Sequence, residues 1–188
     1  MEKTKMKLTD IFDEDMILKS DRLILRPLTK NDADDFYEIF SDREVMRYYD
    51  VLPLESKEQA EIMLDGFIKA LSDRSMLRWG IEYKGKMVGT CGFFSFKDDC
   101  MKAEMGYELN SAYHRLGIMS EALTMILDFI FEKSGINRVE AWVEPDNTAS
   151  KAVLKKLGFT HEGTLRQYEF CRDGIIDITV WSILRSDR

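Results

Sequence analysis

AEMGYELNSAYHRLGIMSEAL, residues 103–123, changes its period halfway along. From Lys102 to Leu109 the side chains alternate, with Met105, Tyr107 and Leu109 pointing one way and Glu104, Gly106 and Glu108 the other. That is the pattern of a β-strand. After Gly117 the apolar residues Ala122, Leu123, Ile126, Phe129 and Ile130 recur at helical spacing. A helix starting near Gly117 leaves its first amides unpaired and pointing outward. The macrodipole adds roughly half a positive charge at that end, so an anion fits there. Gly117 permits a close backbone approach or a positive φ. Arg115 offers a charge-assisted contact, and Ser120 adds a hydroxyl donor in the first turn. One glycine before a helix is most often only a turn. The weight comes from position, because this helix starts at the carboxyl end of a strand, where open sheets place ligands. EPDNTASKAVLKKLGF, residues 144–159, repeats the arrangement: a strand end, then an Asx-capped helix with polar side chains at its start. Two such units side by side make a cleft.

Outward from this stretch the elements follow in order. RLILRPL, residues 22–28, reads as a short strand that ends near Pro27. NDADDFYEIFSD reads as a helix with acidic residues in its first turn and Phe36, Tyr37 and Phe40 on one face. SKEQ, residues 56–59, fits a capping box, and Ala60, Met63, Leu64, Phe67, Ile68 and Leu71 follow at helical spacing. MLRWGIEY, KMVGTCGFFSF and KAEMGYEL read as three antiparallel strands joined by turns at YKGK and KDDC. RVEAWVE is a further strand, DNTASKAVLKKLG a helix capped by Asp146 or Asn147 and closed by Gly158, and LRQYEFCRDGIIDITVWSIL a final hairpin around RDG. The unit from Lys102 to Val143 is strand–helix–strand, which predicts a parallel crossover. The fold class is α/β (α+β mixed): a central mixed, twisted sheet of about seven strands with helices on both faces. Residues 1–20 are mixed and charged and read as an N-terminal extension, with one domain over 21–188.

Composition narrows the chemistry. The chain has 188 residues, 45% of them hydrophobic, enough for a sizeable core. Its net charge of -7 disfavours nucleic acid and favours a cationic partner. Three scattered cysteines without a CxxC pair, and only His114 and His161 beside them, predict free thiols and no metal site. No apolar run is long enough for a signal peptide or a membrane span, so the expectation is a cytoplasmic protein with no membrane partner.

The blocks RLILRPLTKNDADDFYEIFSD (22–42), AEMGYELNSAYHRLGIMSEAL (103–123) and VEPDNTASKAVLKKLGFTHEG (143–163), in this order, resemble the GNAT superfamily of acetyl-CoA-dependent N-acetyltransferases, its RimJ/RimL-like branch in particular. The resemblance implies the GNAT fold, in which the fourth and fifth strands splay apart and acetyl-CoA lies in the opening as cosubstrate. It places the pyrophosphate on a loop patterned R/Q-x-x-G-x-G/A, here His114, Arg115, Leu116, Gly117, Ile118 and Met119, with Ser120 beside it. His114 stands where Arg or Gln is usual, and Met119 replaces a small residue and would narrow the cradle. The resemblance also implies that the main chain of Tyr107, Glu108 and Leu109 bonds the pantetheine arm, that an amide near Tyr107 or Glu108 polarises the thioester carbonyl, and that Asn147 helps hold the CoA arm.

Acetyl transfer needs a neutral amine, a polarised carbonyl and a proton for the departing thiolate. Many members of the superfamily use a tyrosine in the last helix as the acid. The matching position here is Leu154, so the resemblance leaves Ser150 as the acid, against its ordinary use as a helix-start serine. Glu104 is the base candidate, against the plainer reading of a solvent-facing strand glutamate. The acceptor is an amine, on a protein N-terminus or a small molecule, and the assembly a monomer or homodimer. A CoA-binding module without turnover is the rival class. Asp32, Asp34, Asp35 and Glu38 in the first helix suggest an acidic border for a cationic acceptor. Trp79, Trp142, Trp181, Phe93, Phe94 and Phe96 read as packing, His161 as a strand-edge residue, and Cys100 and Cys171 as inert thiols, while Lys151 is within reach of a CoA phosphate.

Overall fold

Met87 and Val88 are neighbours in one strand, yet their side chains enter different hydrophobic cores. The alternation of a strand sends successive residues to opposite faces of its sheet, and here both faces are covered. The computed structural model describes residues 11–12, 15–98, 101–171 and 174–188. One sheet contains β1 (Leu18–Lys19), β2 (Leu23–Pro27), β3 (Leu77–Tyr83), β4 (Lys86–Lys97), β5 (Lys102–Leu109), β6 (Arg138–Val143), β7 (Thr160–Cys171) and β8 (Gly174–Leu184), in the spatial order β1-β2-β3-β4-β5-β6-β8-β7. The mixed sheet and its helices match the sequence reading, but the count of about seven strands is corrected to eight. The additional strand, β1, pairs Leu18 with Leu25 and Lys19 with Ile24. Two residues carry no periodicity to read.

The helices α1 (Ala33–Phe40) and α2 (Lys57–Ser72) pack on one face. Phe36 and Phe40 stack there with ring centroids 4.2 Å apart, and Phe67 of α2 meets Phe36 edge-on at 5.7 Å. The helices α3 (Ile118–Lys133) and α4 (Thr148–Lys156) cover the other face, where Ile118, Leu123, Ile126 and Leu154 join Trp79, Phe93 and Trp181 in the larger core. Ile11 and Met16 are buried in that core too, and the Trp79 indole donates to the Met16 carbonyl at 2.7 Å, so the described part of the leading segment is docked.

Local chemistry explains the element ends. Ser56 caps α2 by accepting from the Gln59 amide, while the Gln59 side chain reaches back to the amide of Glu55, one residue beyond the expected box. Lys84 and Gly85 both have positive φ, the tight-turn pattern of a two-residue hairpin. Asn147 proves to be the cap of α4, and Gly158 just past its end sits at φ 87°. Asp99 and Cys100 in one predicted turn, and Arg172 and Asp173 in the other, lie outside the described residues. β7 begins at Thr160, earlier than its pattern suggests, because register shifts at His161/Gly163 and Leu165/Glu169 interrupt the alternation.

The feature that positions the site is a ladder that stops. β5 and β6 are parallel neighbours only over Lys102↔Arg138, Ala103↔Val139 and Glu104↔Glu140. Beyond Glu104, β5 stays paired with β4 as far as Leu109, and beyond Glu140, β6 stays paired with β8 as far as Val143. The two strands therefore part, and a V-shaped opening is left between their carboxyl ends.

Candidate active site

A strand released on one edge presents backbone groups there. The Asn110 amide donates to the Val88 carbonyl of β4, so by the antiparallel alternation Glu108 and Gly106 also bond toward β4. Tyr107 and Leu109 turn their main-chain groups to the free edge. Of the three residues expected to meet pantetheine, Glu108 is thus directed away. The Leu109 carbonyl is already 3.0 Å from Nε2 of His114, which folds the His114 ring back onto the end of the strand.

A cavity of about 440 Å³ fills the opening. Glu104 stands on its wall, half-buried, and burial raises its carboxyl pKa above the ordinary carboxylate value, with Glu140 nearby adding to the rise. Across the opening, Ser150 lies in the first turn of α4. Its amide is bound by Asn147 Oδ1 at 3.0 Å, and its hydroxyl meets the Tyr107 phenol at 2.7 Å. Burial pushes the Tyr107 phenol up to about 12. The predicted acid and base positions thus line one cavity, as does Asn147. Leu154, one turn further along α4, is fully buried in the core and holds no polar group toward the cavity.

The floor of the cavity on the α2 side is a buried ion pair. Arg78 of β3 bonds the Glu108 carboxylate, donates to Thr90 Oγ1 at 3.0 Å, and lies 4.6 Å from the centroid of the Phe67 ring. Thr90 donates in turn to Glu108 at 2.7 Å. Removing either charge would strand the other in the interior. Over this pair the segment Tyr48–Asp50 forms a roof, tied to the start of α4 by the Tyr48 hydroxyl, which donates to the Asp146 carbonyl at 3.1 Å.

The loop from His114 to Ser120 is outside this cavity and continues from the end of β5. Gly117 has φ 75°, as its place before a helix predicts, and Arg115 adds a second left-handed residue at φ 62°. The first helical bond of α3 runs from the Glu121 amide to the Gly117 carbonyl, so the amides of Ile118, Met119 and Ser120 have no partner within the helix. The Met119 side chain is buried in the core with Ile118, which removes the narrowing expected of it. Arg22 of the strand-leading segment holds the loop, donating to the Leu116 carbonyl at 3.0 Å and to Glu121 at 2.6 Å.

The family described as acetyltransferase (GNAT) domain matches residues 22–160. The chain belongs to the GNAT family of N-acetyltransferases. Among its relatives is the uncharacterized N-acetyltransferase YoaA of Bacillus subtilis (strain 168), 39% identical over 171 residues that cover 90% of this chain and 97% of YoaA. The spermidine N(1)-acetyltransferase of Escherichia coli (strain K12) is 25% identical over 150 residues, 80% of this chain and 78% of that enzyme. RimL, a ribosomal L7/L12 alpha-N-protein acetyltransferase solved with coenzyme A, superposes with a TM-score of 0.82 at 22% identity, covering 89% of this chain and 97% of RimL.

Within this GNAT domain the acidic residues of α1 are not a border to the cavity. Asp32 is buried against Arg26, Asp34 pairs with Lys57, Asp35 accepts from the Met87 amide, and Glu38 bonds Lys86 and Asn110. The carboxylates that do line the cavity, besides Glu104 and Glu108, are Asp50, Glu144 and Glu169. No local motif marks them, because they come from a loop, a strand end and the hairpin. Trp142 and Phe94, read as packing, line the cavity, and Trp142 lies 5.0 Å from the Tyr168 ring. Cys171 lines it as well, buried. Lys151 folds back onto the Pro145 carbonyl, and His161 packs 4.9 Å from Trp181. Cys100 lies outside the described residues.

Proposed function

We propose that the chain moves the acetyl group of acetyl-CoA to the primary amine of a cationic acceptor, with the N-terminal alpha-amine of a basic, ribosomal-type protein as first candidate. The observation that carries this reading is that Glu104 and Ser150 line one cavity at the point where β5 and β6 part. The loop amides of Ile118, Met119 and Ser120 suit a pyrophosphate, and the free edge of β5 at Tyr107 and Leu109 suits an extended pantetheine arm. Asn147 spends its Oδ1 on the cap of α4, so its NH₂ group is the one left for that arm. The Tyr107 amide faces the free edge and is the polarising donor for the thioester carbonyl.

Glu104 takes the amine proton, directly or through water, and its raised pKa brings it nearer the working range of a base. Ser150 gives the thiolate its proton. An alpha-amine, with pKa near 8, asks little of such a base, whereas a lysine amine near 10.4 costs roughly 3 kcal/mol more to deprotonate. Transfer is read as direct: no cysteine stands in a motif of an activated nucleophile, and Cys91, buried with its thiol pushed up to about 12, lies outside the cavity lining.

A small polyamine is the second reading. The likeness to a spermidine acetyltransferase and the carboxylates Asp50, Glu144 and Glu169 lining the cavity favour it. The deciding experiment follows release of free CoA with basic peptides bearing free or blocked N-termini and with a panel of small amines, at low and high salt. Free-N-terminus peptides should give the highest kcat/KM, falling with salt. Preference for polyamines would transfer the assignment to the second reading, and equal rates for blocked peptides would move the acceptor from the alpha-amine to lysine side chains. No turnover with any amine would reject both.

A further inference from the structure

The phenol that many GNAT enzymes carry on the last helix is absent here, because Leu154 fills that position with a core side chain. A different phenol reaches the same wall from the opposite strand. Tyr107 projects from β5 and ends 2.7 Å from the Ser150 hydroxyl on α4, and both residues line the cavity where β5 and β6 separate. The contact bridges two elements 43 residues apart, and no other side-chain bond of the Tyr107 hydroxyl occurs among the described residues.

We propose that Tyr107 is a positioning residue for thiolate protonation, holding the Ser150 hydroxyl toward the departing sulfur and resupplying its proton. The inference rests on Ser150 acting as the proton donor. An aliphatic hydroxyl alone is a poor acid, since it must end as an alkoxide. A phenol is the stronger acid of the two, so a hydrogen bond between them lets the negative charge settle on the aromatic oxygen. In the step, the amine N–C bond forms as the C–S bond breaks. The Ser150 proton passes to sulfur, giving the neutral thiol, and the Tyr107 proton passes to Ser150 Oγ. The acceptor amine releases its own proton through Glu104 to solvent, and solvent returns one to Tyr107, so charge and protons balance. Burial keeps the resting phenol protonated and opposes its anion, while the hydrogen bond with Ser150 acts the other way and favours the transient phenolate.

The test is a double-mutant cycle of Tyr107→Phe and Ser150→Ala, reading kcat, KM for acetyl-CoA and CoA affinity by calorimetry. Tyr107→Phe keeps the ring and deletes one oxygen. It should lower kcat about tenfold while leaving CoA affinity within about twofold, the pattern of an interaction made mainly in the transition state. Ser150→Ala should cost at least as much, and the double variant no more than Ser150→Ala alone, because Tyr107 acts only through Ser150. Ser150→Thr, which keeps a hydroxyl, should restore the dependence on Tyr107. Full activity of Tyr107→Phe beside a damaged Ser150→Ala would overturn the relay and leave Ser150 as the acid. A silent Ser150→Ala would remove the acid assignment itself, and the relay with it. Additive losses would mean that Tyr107 acts on its own, against the proposal.

Discussion

The two halves of the candidate site, the loop after β5 and the cavity beside it, are built from different materials. The half at His114–Ser120 is backbone: a left-handed glycine, three helix-start amides and one arginine that clamps a carbonyl. The half between Glu104 and Ser150 is side chain, drawn from the 48–50 segment, α2, α4 and the strands β3 to β8. A backbone site comes from consecutive residues, so in the proposed role it should tolerate His114 and Met119 in place of the usual types as long as the chain path is kept. A side-chain site comes from contacts far apart in sequence, so it depends on which residue stands at each place.

The largest expected effect lies in the side-chain half. Arg78→Met would leave the Glu108 carboxylate buried without its cation, with only the uncharged hydroxyls of Thr90 and Tyr49 beside it. Losing one member of a buried pair costs about 3–5 kcal/mol, which denaturant unfolding would register. A loss below about 1 kcal/mol would mean that this half is as tolerant as the loop.

Next is the base. Glu104→Gln should lower kcat/KM about 100-fold, the usual range for removal of a general base. The sign of the pH dependence follows from the direction of the shift. Burial raises the Glu104 pKa, and a base must be the carboxylate, so in the proposed role wild-type activity should fall as pH drops through that raised value. The glutamine variant should lack this acid limb. A limb that persists unchanged would assign it to another group.

The loop variants test the backbone half and should act on affinity alone. Gly117→Val puts a β-branched residue at φ 75°, although the nearest atom to its added Cβ, on Arg22, is an unforced 3.4 Å away. Affinity for CoA should fall about tenfold by calorimetry, with little change in the chemistry of bound substrate. Arg22→Ala removes the clamp on Leu116 and should weaken acetyl-CoA by about fivefold, roughly 1 kcal/mol. It should leave acetyl-pantetheine, which carries no pyrophosphate, unaffected. Equal losses with both thioesters would show that Arg22 supports the fold in general and not the phosphate loop.

Read as sequence, the fold was clear wherever one element spoke for itself. The helical spacing of Ala60 to Leu71, the alternation of Met105, Tyr107 and Leu109, and the Asn147 cap all reappear in the structure. The gaps have physical causes. β1 is too short to show a period, and the start of β7 is hidden by its register shifts. The acidic cluster of α1 suggested a partner, but its charges are met within the chain by Arg26, Lys57, Lys86 and the Met87 amide. Charge can be counted from a sequence, whereas its compensation depends on neighbours brought in from other elements.

The sequence by itself determined the local pieces: strand, left-handed glycine and helix start in one continuous stretch, and a second capped helix after a second strand. These follow from periods of two and 3.6 and from φ preferences, which act over a few residues. Only the tertiary structure decided that the β5–β6 ladder stops at Glu104↔Glu140, that Arg78 neutralises Glu108, and that the Tyr107 phenol meets Ser150. Each of these is a contact between elements, set by how two faces of a twisted sheet are packed, and no spacing within one segment encodes it.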